Sequence, residues 1–391
     1  MKTRVLRYLK HMFITIFGIA IIAILFGLYH GASASYAHNP KKTAFDKDGP
    51  YLFYKNDSTL NVNYIRGNKN DGFYLDQKEY SANESIPASC FFHLDSTQFN
   101  FTIKTHFKSP QTIYNDDEKI LAISDIESGY KTFRDFLIHN NVIDKNLNWT
   151  FGKGHLVLLG DFVDRGFSTT QVLWFIYKLE QDANTKGGQV HFIIGNHELK
   201  NMYGDYQSSA LKYTFVASIL GKTQANLYDS YSVLGNWIAS KNVIESINGN
   251  LFVHGGLHKD VAELDMTLED INTFLRASYY KAPYPKPNKS KTDVLLSSKT
   301  GVCWYRGYFR DDLLQEDINK PLNKFKAKKI IVGHTIQSKV KSHYDGKVIG
   351  IDISHSKDYH KNWPNKKSEG LLIEGDSYFR ALNDGEKIEL K

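Results

Sequence analysis

The stretch Val157-Leu158-Leu159-Gly160-Asp161-Phe162-Val163-Asp164-Arg165-Gly166 constrains the fold most: an apolar run stops at a glycine and hands over two carboxylates, an arginine and a second glycine. A short, continuous aliphatic run reads as a strand buried on both faces. Gly160 and Gly166 free the backbone to turn sharply past the strand end. One such stretch would suit a strand followed by a solvated charged turn. The design recurs four more times. Ile120-Leu121-Ala122-Ile123 leads to Asp125-Ile126-Glu127, Val190-His191-Phe192-Ile193-Ile194 to Gly195-Asn196-His197-Glu198, Leu251-Phe252-Val253 to His254-Gly255-Gly256, and Ile330-Ile331-Val332 to Gly333-His334-Thr335.

Between these strands the spacing predicts helices. Phe133, Phe136 and Leu137 share a face over 130–142, and Val172, Phe175, Ile176 and Leu179 share one from Thr169 onward. Residues 207–240 read as a mainly helical insert, Thr267 with Asp270 as a capping box, and 281–300 as a Lys-, Pro- and Ser-rich loop. Val348-Ile349-Gly350-Ile351 and Gly370-Leu371-Leu372-Ile373 close the domain as β structure. Strands alternating with helices make the fold class α/β. Ligand sites in such sheets lie beyond the carboxyl ends of the strands, where all five strand-end groups can meet. Asp125 and Glu127 are two apart and share a face if the chain there is extended. A two-metal site needs ions about 3.5–4 Å apart. Asp161, on the middle strand, is the natural bridge between them.

Ahead of this pattern, 38–115 is polar and aromatic, with strand-like pieces at Leu60-Asn61-Val62-Asn63-Tyr64 and Phe99-Asn100-Phe101-Thr102-Ile103, and reads as a small β-rich extension. Residues 12–29 carry no charge and follow Lys2, Arg4, Arg7 and Lys10. With the small residues of 31–37 behind it, cleavage falling after Ala34 or Ala37, segment 1–37 is expected to be a signal peptide or an uncleaved membrane anchor, and the protein exported or membrane-anchored. Those four cations account for more than half of the formal net charge of +7. The balance is too mild to imply nucleic acid. Two cysteines, Cys90 and Cys303, exclude a disulfide scaffold and a thiolate zinc cluster; whether they pair is open.

Asp125-x-Glu127, Gly160-Asp161-x-x-Asp164-Arg165-Gly166, Gly195-Asn196-His197-Glu198, His254-Gly255-Gly256 and Gly333-His334-Thr335 resemble, in order, the motifs of the calcineurin-like metallophosphoesterases, and most of all their phosphoprotein phosphatase branch. The resemblance covers about 119–355. It implies a four-layer αββα sandwich over 116–391 and a dinuclear centre. Asp125, Glu127 and Asp161 would hold one ion, and Asp161, Asn196, His254 and His334 the other. His197 would be the general acid, oriented by Asp164. Arg165, and Arg306 in Cys303-Trp304-Tyr305-Arg306-Gly307, would clamp the phosphate. The implied activity is a phosphoric monoester hydrolase using metal-activated hydroxide on a phosphoprotein or small phosphate ester. The chain departs from the family at Glu127, where histidine is usual. A harder, charged ligand is expected to favour Mn²⁺ or Mg²⁺ over Zn²⁺ or Fe.

Two other functions use the same residues: a dinucleoside polyphosphate hydrolase, which shares these motifs, and a non-catalytic binding protein that keeps the fold, with Glu127 marking decay. Glu198 reads as a supporting rather than a liganding residue. His155, His191 and His355 are expected outside the ligand set, His355 at the surface or in a structural role. The lysines of 319–329 and 361–367 read as solvated loops.

Overall fold

The computed structural model describes residues 2–30, 32, 34–37, 40–284 and 290–390. Both the small-residue run at 31–37 and the loop at 281–300 include positions outside the described residues. Within the second, Asp293–Leu296 forms a short helix.

The buried strands assemble into two six-stranded sheets. One runs in the order Gln189–Ile193, His155–Leu159, Ile120–Ile123, Glu369–Glu374, Ser377–Leu382, Lys387–Glu389. Its first three strands are parallel, and Glu369–Glu374 joins Ile120–Ile123 antiparallel. The other runs Lys341–His343, Val348–Gly350, Lys329–Val332, Asn250–Val253, Ile244–Ile247, Ile113–Tyr114. Alternate residues of a strand face opposite ways, so the inner faces meet through Ile120, Val157 and Leu159 against Phe252, Ile331 and Ile349. The outer faces carry Leu156 and Leu158 on one side and Leu251 and Val332 on the other, packed with helical residues such as Phe133, Phe175, Ile271 and Leu322. This is the expected four-layer αββα sandwich. Each layer is held by burial of about 1.5–3 kcal/mol per large apolar side chain.

Helices form at Tyr130–His139 and Thr169–Thr185. The first ends earlier than its apolar spacing suggests. At Leu268–Arg276 the Thr267 hydroxyl and the Asp270 carboxylate make the capping box.

Ahead of the sandwich, Asp48–Asn56, Thr59–Asn68 and Gly72–Ser81 form a three-stranded sheet, and Ile86–Phe92 with Thr97–Ile103 a hairpin. They lie against the Thr169–Thr185 helix. The Trp174 indole donates to the Pro50 carbonyl at 2.8 Å, and the Phe99 and Phe101 rings pack on Phe175 and Trp174. Asp48 is fully buried and meets Lys212 at 3.1 Å. Cys90 and Cys303 are both buried free thiols. Lys2–Tyr29 is a single helix with its apolar side chains exposed, long and apolar enough to cross a membrane.

Candidate metal centre

Register brings the strand ends together. Ile123 aligns with Leu158, and Ile193 with Leu159. In the second sheet Val253 aligns with Val332, and Val332 with Gly350. The loops that follow open into one cavity of about 730 Å³ lined by Asp125, Glu127, Asp161, Arg165, Arg306 and His334.

Asp161 sits at its floor, 4% exposed. Its Oδ2 lies 3.2 Å from His254 Nε2, and its Oδ1 accepts the His197 backbone N–H at 2.9 Å. Two glycines make room. Gly160 has φ +78°, and a Cβ there would fall 2.6 Å from His254 Nδ1; a Cβ on Gly195 would overlap the Asp161 carboxylate. The Glu198 carboxylate ties the loops together, accepting from the backbone N–H groups of Asp161 at 2.9 Å, Phe162 at 2.8 Å and Gly195 at 2.9 Å. That is the supporting role expected of it.

His254 Nδ1 donates to the Leu159 carbonyl at 2.7 Å, which turns Nε2 toward Asp161 and toward Asn196 Oδ1 at 3.2 Å. His334 Nε2 donates to the Trp304 carbonyl at 3.1 Å, leaving Nδ1 as an acceptor. One donor atom each from Asp161, His254 and His334 lies within 4.8 Å of the others. The His334 backbone N–H donates to Asp125 Oδ2 at 3.1 Å, so Asp125 adjoins this group.

The electrostatics fit a divalent cation. Burial, with Asp161 nearby, lifts Asp125 to about 7 in spite of His254. Burial and the neighbouring Asp125 and Asp161 carboxylates push Asp352 well above the usual carboxylate range. Against burial, the Asp161 carboxylate holds His254 up to about 10. Burial and His254 drive His334 down to about 2. Buried carboxylates crowded to this extent stay ionised only beside compensating positive charge. Carboxylate, imidazole and amide oxygen form a donor set that suits a divalent ion. Calcineurin-like phosphoesterases bind divalent metals, in keeping with this cluster.

Beside the cluster, His197 Nδ1 and Asp164 Oδ2 are 2.7 Å apart, both buried. Asn201 Nδ2 donates to the other Asp164 oxygen at 2.8 Å. His197 Nε2 is thereby aimed at the cavity, 3.7 Å from Asp161 Oδ2 and 3.3 Å from Arg165 Nη2. Against burial, the Asp161 and Asp164 carboxylates raise its pKa. Arg306 donates to the His334 carbonyl and to Thr335 Oγ1.

One geometric expectation fails. The chain at Asp125 and Glu127 is a turn rather than extended: φ is +54° at Asp125, +49° at Glu127 and +64° at Ser128. The Glu127 carboxylate lines the same cavity as Asp125 but is engaged there in an ion pair with Arg165 and with Lys357 Nζ at 2.9 Å. Left-handed backbone extends through the site, with φ +57° at Asp161, +67° at Asp164, +56° at Arg165 and +63° at His334.

Sequence reasoning missed Asp352 and Asn201. Asp352 follows the Val348–Gly350 strand, two residues beyond the Gly350 that pairs with Val332, as His334 lies two beyond Val332. It is a sixth polar group at an apolar strand end, and that signal was legible. Asn201 lies four residues after His197 on one helix face. His155 and His191 lie apart from the cavity, 2.8 Å from each other and bonded at their outer nitrogens to Asp116 and Glu245. His355 is buried rather than at the surface, its Nε2 donating to the Ser124 carbonyl at 2.9 Å.

Comparison with known proteins agrees with this architecture. Residues 118–338 match the family model for calcineurin-like phosphoesterase. The chain is 28% identical over 226 residues to Shewanella-like protein phosphatase 1 of Plasmodium berghei, covering 56% of this chain and 61% of that relative's length. It is 23% identical over 341 residues to Shewanella-like protein phosphatase 2 of Arabidopsis thaliana, covering 75% and 82%. The crystal structure of the cold-active protein-tyrosine phosphatase of a psychrophilic Shewanella superposes with a TM-score of 0.74 at 28% identity, over 88% of this chain and 99% of that one. With a match across more than half of its length and the fold to go with it, the chain belongs to the calcineurin-like phosphoesterase family.

Proposed function

We propose that the protein is a metal-dependent phosphoric monoester hydrolase acting on phosphorylated Ser, Thr or Tyr side chains. The single observation that supports this best is the His197–Asp164 pair, with Nδ1 and Oδ2 2.7 Å apart, beside the Asp161, His254 and His334 cluster, of which Asp161 and His334 line the cavity. The relatives are named as protein phosphatases, which supports the substrate class.

In this reading Asp125, Glu127, Asp161, Asn196, His254 and His334 hold two divalent ions, with Mn²⁺ or Mg²⁺ preferred. When bound, such ions polarise phosphoryl oxygens and lower the pKa of water. The chain's own side chains do the rest. Arg165 and Arg306, both lining the cavity, bind equatorial oxygens of the phosphoryl group and neutralise its charge. Asp164, itself fixed by Asn201, holds the His197 ring by Nδ1 and so presents an Nε2 proton to the departing oxygen. Export or membrane anchoring through the Lys2–Tyr29 helix, cleaved or not, completes the reading, with 38–115 as a β-rich extension whose last strand, Ile113–Tyr114, edges the sandwich, and 116–391 as the catalytic domain.

The test is turnover of an aryl phosphate and of a dinucleoside polyphosphate by the purified protein reconstituted with Mn²⁺. Aryl phosphate turnover that disappears in Asp161→Asn is the expected result. Preference for the polyphosphate, or no turnover of either, refutes the proposal.

A further inference from the structure

The extension carries a cleft of its own, of about 840 Å³, with no residue in common with the catalytic cavity. Its two walls are the facing sides of the Thr59–Asn68 and Gly72–Ser81 strand pair and of the Ile86–Phe92 and Thr97–Ile103 hairpin. Tyr64 joins them: its hydroxyl donates to the Ser89 carbonyl at 3.1 Å and accepts the Ser89 N–H at 3.0 Å.

The hairpin wall is neutral and rich in hydrogen-bonding groups. Gln98, Asn100 and Thr102 line it in a row, with Ser89 paired opposite Asn100. Residues two apart on a strand recur about every 6.8 Å. That is also the two-residue repeat of an extended peptide, so every second backbone amide of such a ligand meets the next side chain of the wall. The rest of the lining carries three cations, each over an aromatic ring. Lys78 Nζ lies 4.7 Å from the Tyr80 ring centroid, Lys47 Nζ 5.1 Å from that of Phe91, and the Arg66 guanidinium 5.7 Å from that of Tyr64. Resting on a ring restrains each cation at the cleft rather than leaving it to range through solvent. The one carboxylate in the lining, Asp76, pairs with Arg66 at 3.2 Å, so the charge of Lys47 and Lys78 is left for a ligand.

We propose that this cleft binds an extended acidic peptide segment. Its backbone amides would bond to Ser89, Gln98 and Asn100, and its carboxylates to Lys47 and Lys78. That such a segment belongs to a phosphoprotein substrate rests on the catalytic reading above; the binding itself does not.

The experiment is fluorescence anisotropy of a labelled peptide rich in Asp, Glu and Ser with the full chain in detergent, against the Lys47→Glu/Lys78→Glu variant. Both side chains are at the surface of the extension, so melting temperature and aryl phosphate turnover stay at wild-type values. The variant is expected to weaken peptide binding at least about tenfold, and added salt to weaken the wild type. KM for an acidic phosphoprotein rises in step. Absence of binding, binding indifferent to charge reversal, or tighter binding of an anionic polysaccharide than of the peptide overturns the proposal. If wild-type protein binds peptide but turns over no aryl phosphate, the catalytic reading fails and the cleft stands.

Discussion

Replacing Asp48 with alanine tests whether extension and sandwich unfold as one body. The carboxylate has no exposure and meets Lys212 Nζ at 3.1 Å, Gln171 Nε2 at 2.9 Å and the Tyr51 hydroxyl at 3.1 Å. Burial by itself would depress the Lys212 pKa, but the Asp48 carboxylate lifts it above its ordinary value and the ammonium stays charged. Alanine leaves that charge buried, with the Phe167 carbonyl at 2.9 Å as a neutral acceptor. Removing one member of a buried pair costs about 3–5 kcal/mol. With an unfolding entropy of about 2.1 cal/mol/K per residue, a cooperative unit of about 350 residues loses about 5 °C of melting temperature for 4 kcal/mol. Calorimetry gives the midpoint, and tryptophan emission reports the joint through Trp174, whose indole is bonded to Pro50. The double variant Asp48→Leu/Lys212→Met, which removes both charges, should recover most of the loss. A fall below about 1 kcal/mol for Asp48→Ala, or two separate transitions in the wild type, refutes the reasoning.

Three other outcomes follow from the site. Asp164→Asn keeps a residue that tolerates φ +67° but removes the charge behind His197. Loss of general-acid catalysis is worth about 10²–10⁴-fold, so kcat should fall steeply for an alkyl phosphate and little for a nitrophenyl phosphate; equal losses would contradict the assignment. Glu127→His should move the preferred metal from Mn²⁺ or Mg²⁺ toward Zn²⁺, measured as turnover against metal, and an unchanged profile removes the argument from ligand hardness. Asp358 has its carboxyl lifted to about 6 by burial, although the Lys131 and Thr132 backbone N–H groups oppose this. The native state then holds the proton more tightly than the unfolded chain, so stability contributed below about pH 4 is lost as pH rises to about 6. Asp358→Asn should flatten that slope in urea melts, and an unaltered slope would place its origin elsewhere.

How much of this was legible depended on range. The strand-end groups could be read because each follows its own apolar run, and parallel register does the rest: Asp161, His254 and His334 meet although 173 positions separate the first from the last. The turn at Asp125–Ser128 could not be read, because Asp-x-Glu fits extended and left-handed backbone alike. Lys357, which pairs with Glu127 at the cavity, is 230 residues away. Asp352 was legible but overlooked, its strand having been read only as a closing element. The joint through Asp48 and Lys212 had no local signature, since a lone charge in a polar stretch ordinarily faces water. The clash that makes Gly195 obligatory is likewise visible only when Asp161 lies against it.

The left-handed backbone at Asp125, Glu127, Asp161, Asp164, Arg165 and His334 bears on how this protein would fare in a mutant library. Aspartate tolerates this conformation, but at Glu127 and Arg165 it costs about 1–2 kcal/mol each, a sizeable part of the margin by which a folded chain exceeds its unfolded form. Screening for heat tolerance alone would enrich glycine and asparagine at Arg165 and Glu127, and the survivors would be sturdy and inert. Isoleucine, valine and threonine would be purged from all six positions whatever the screen.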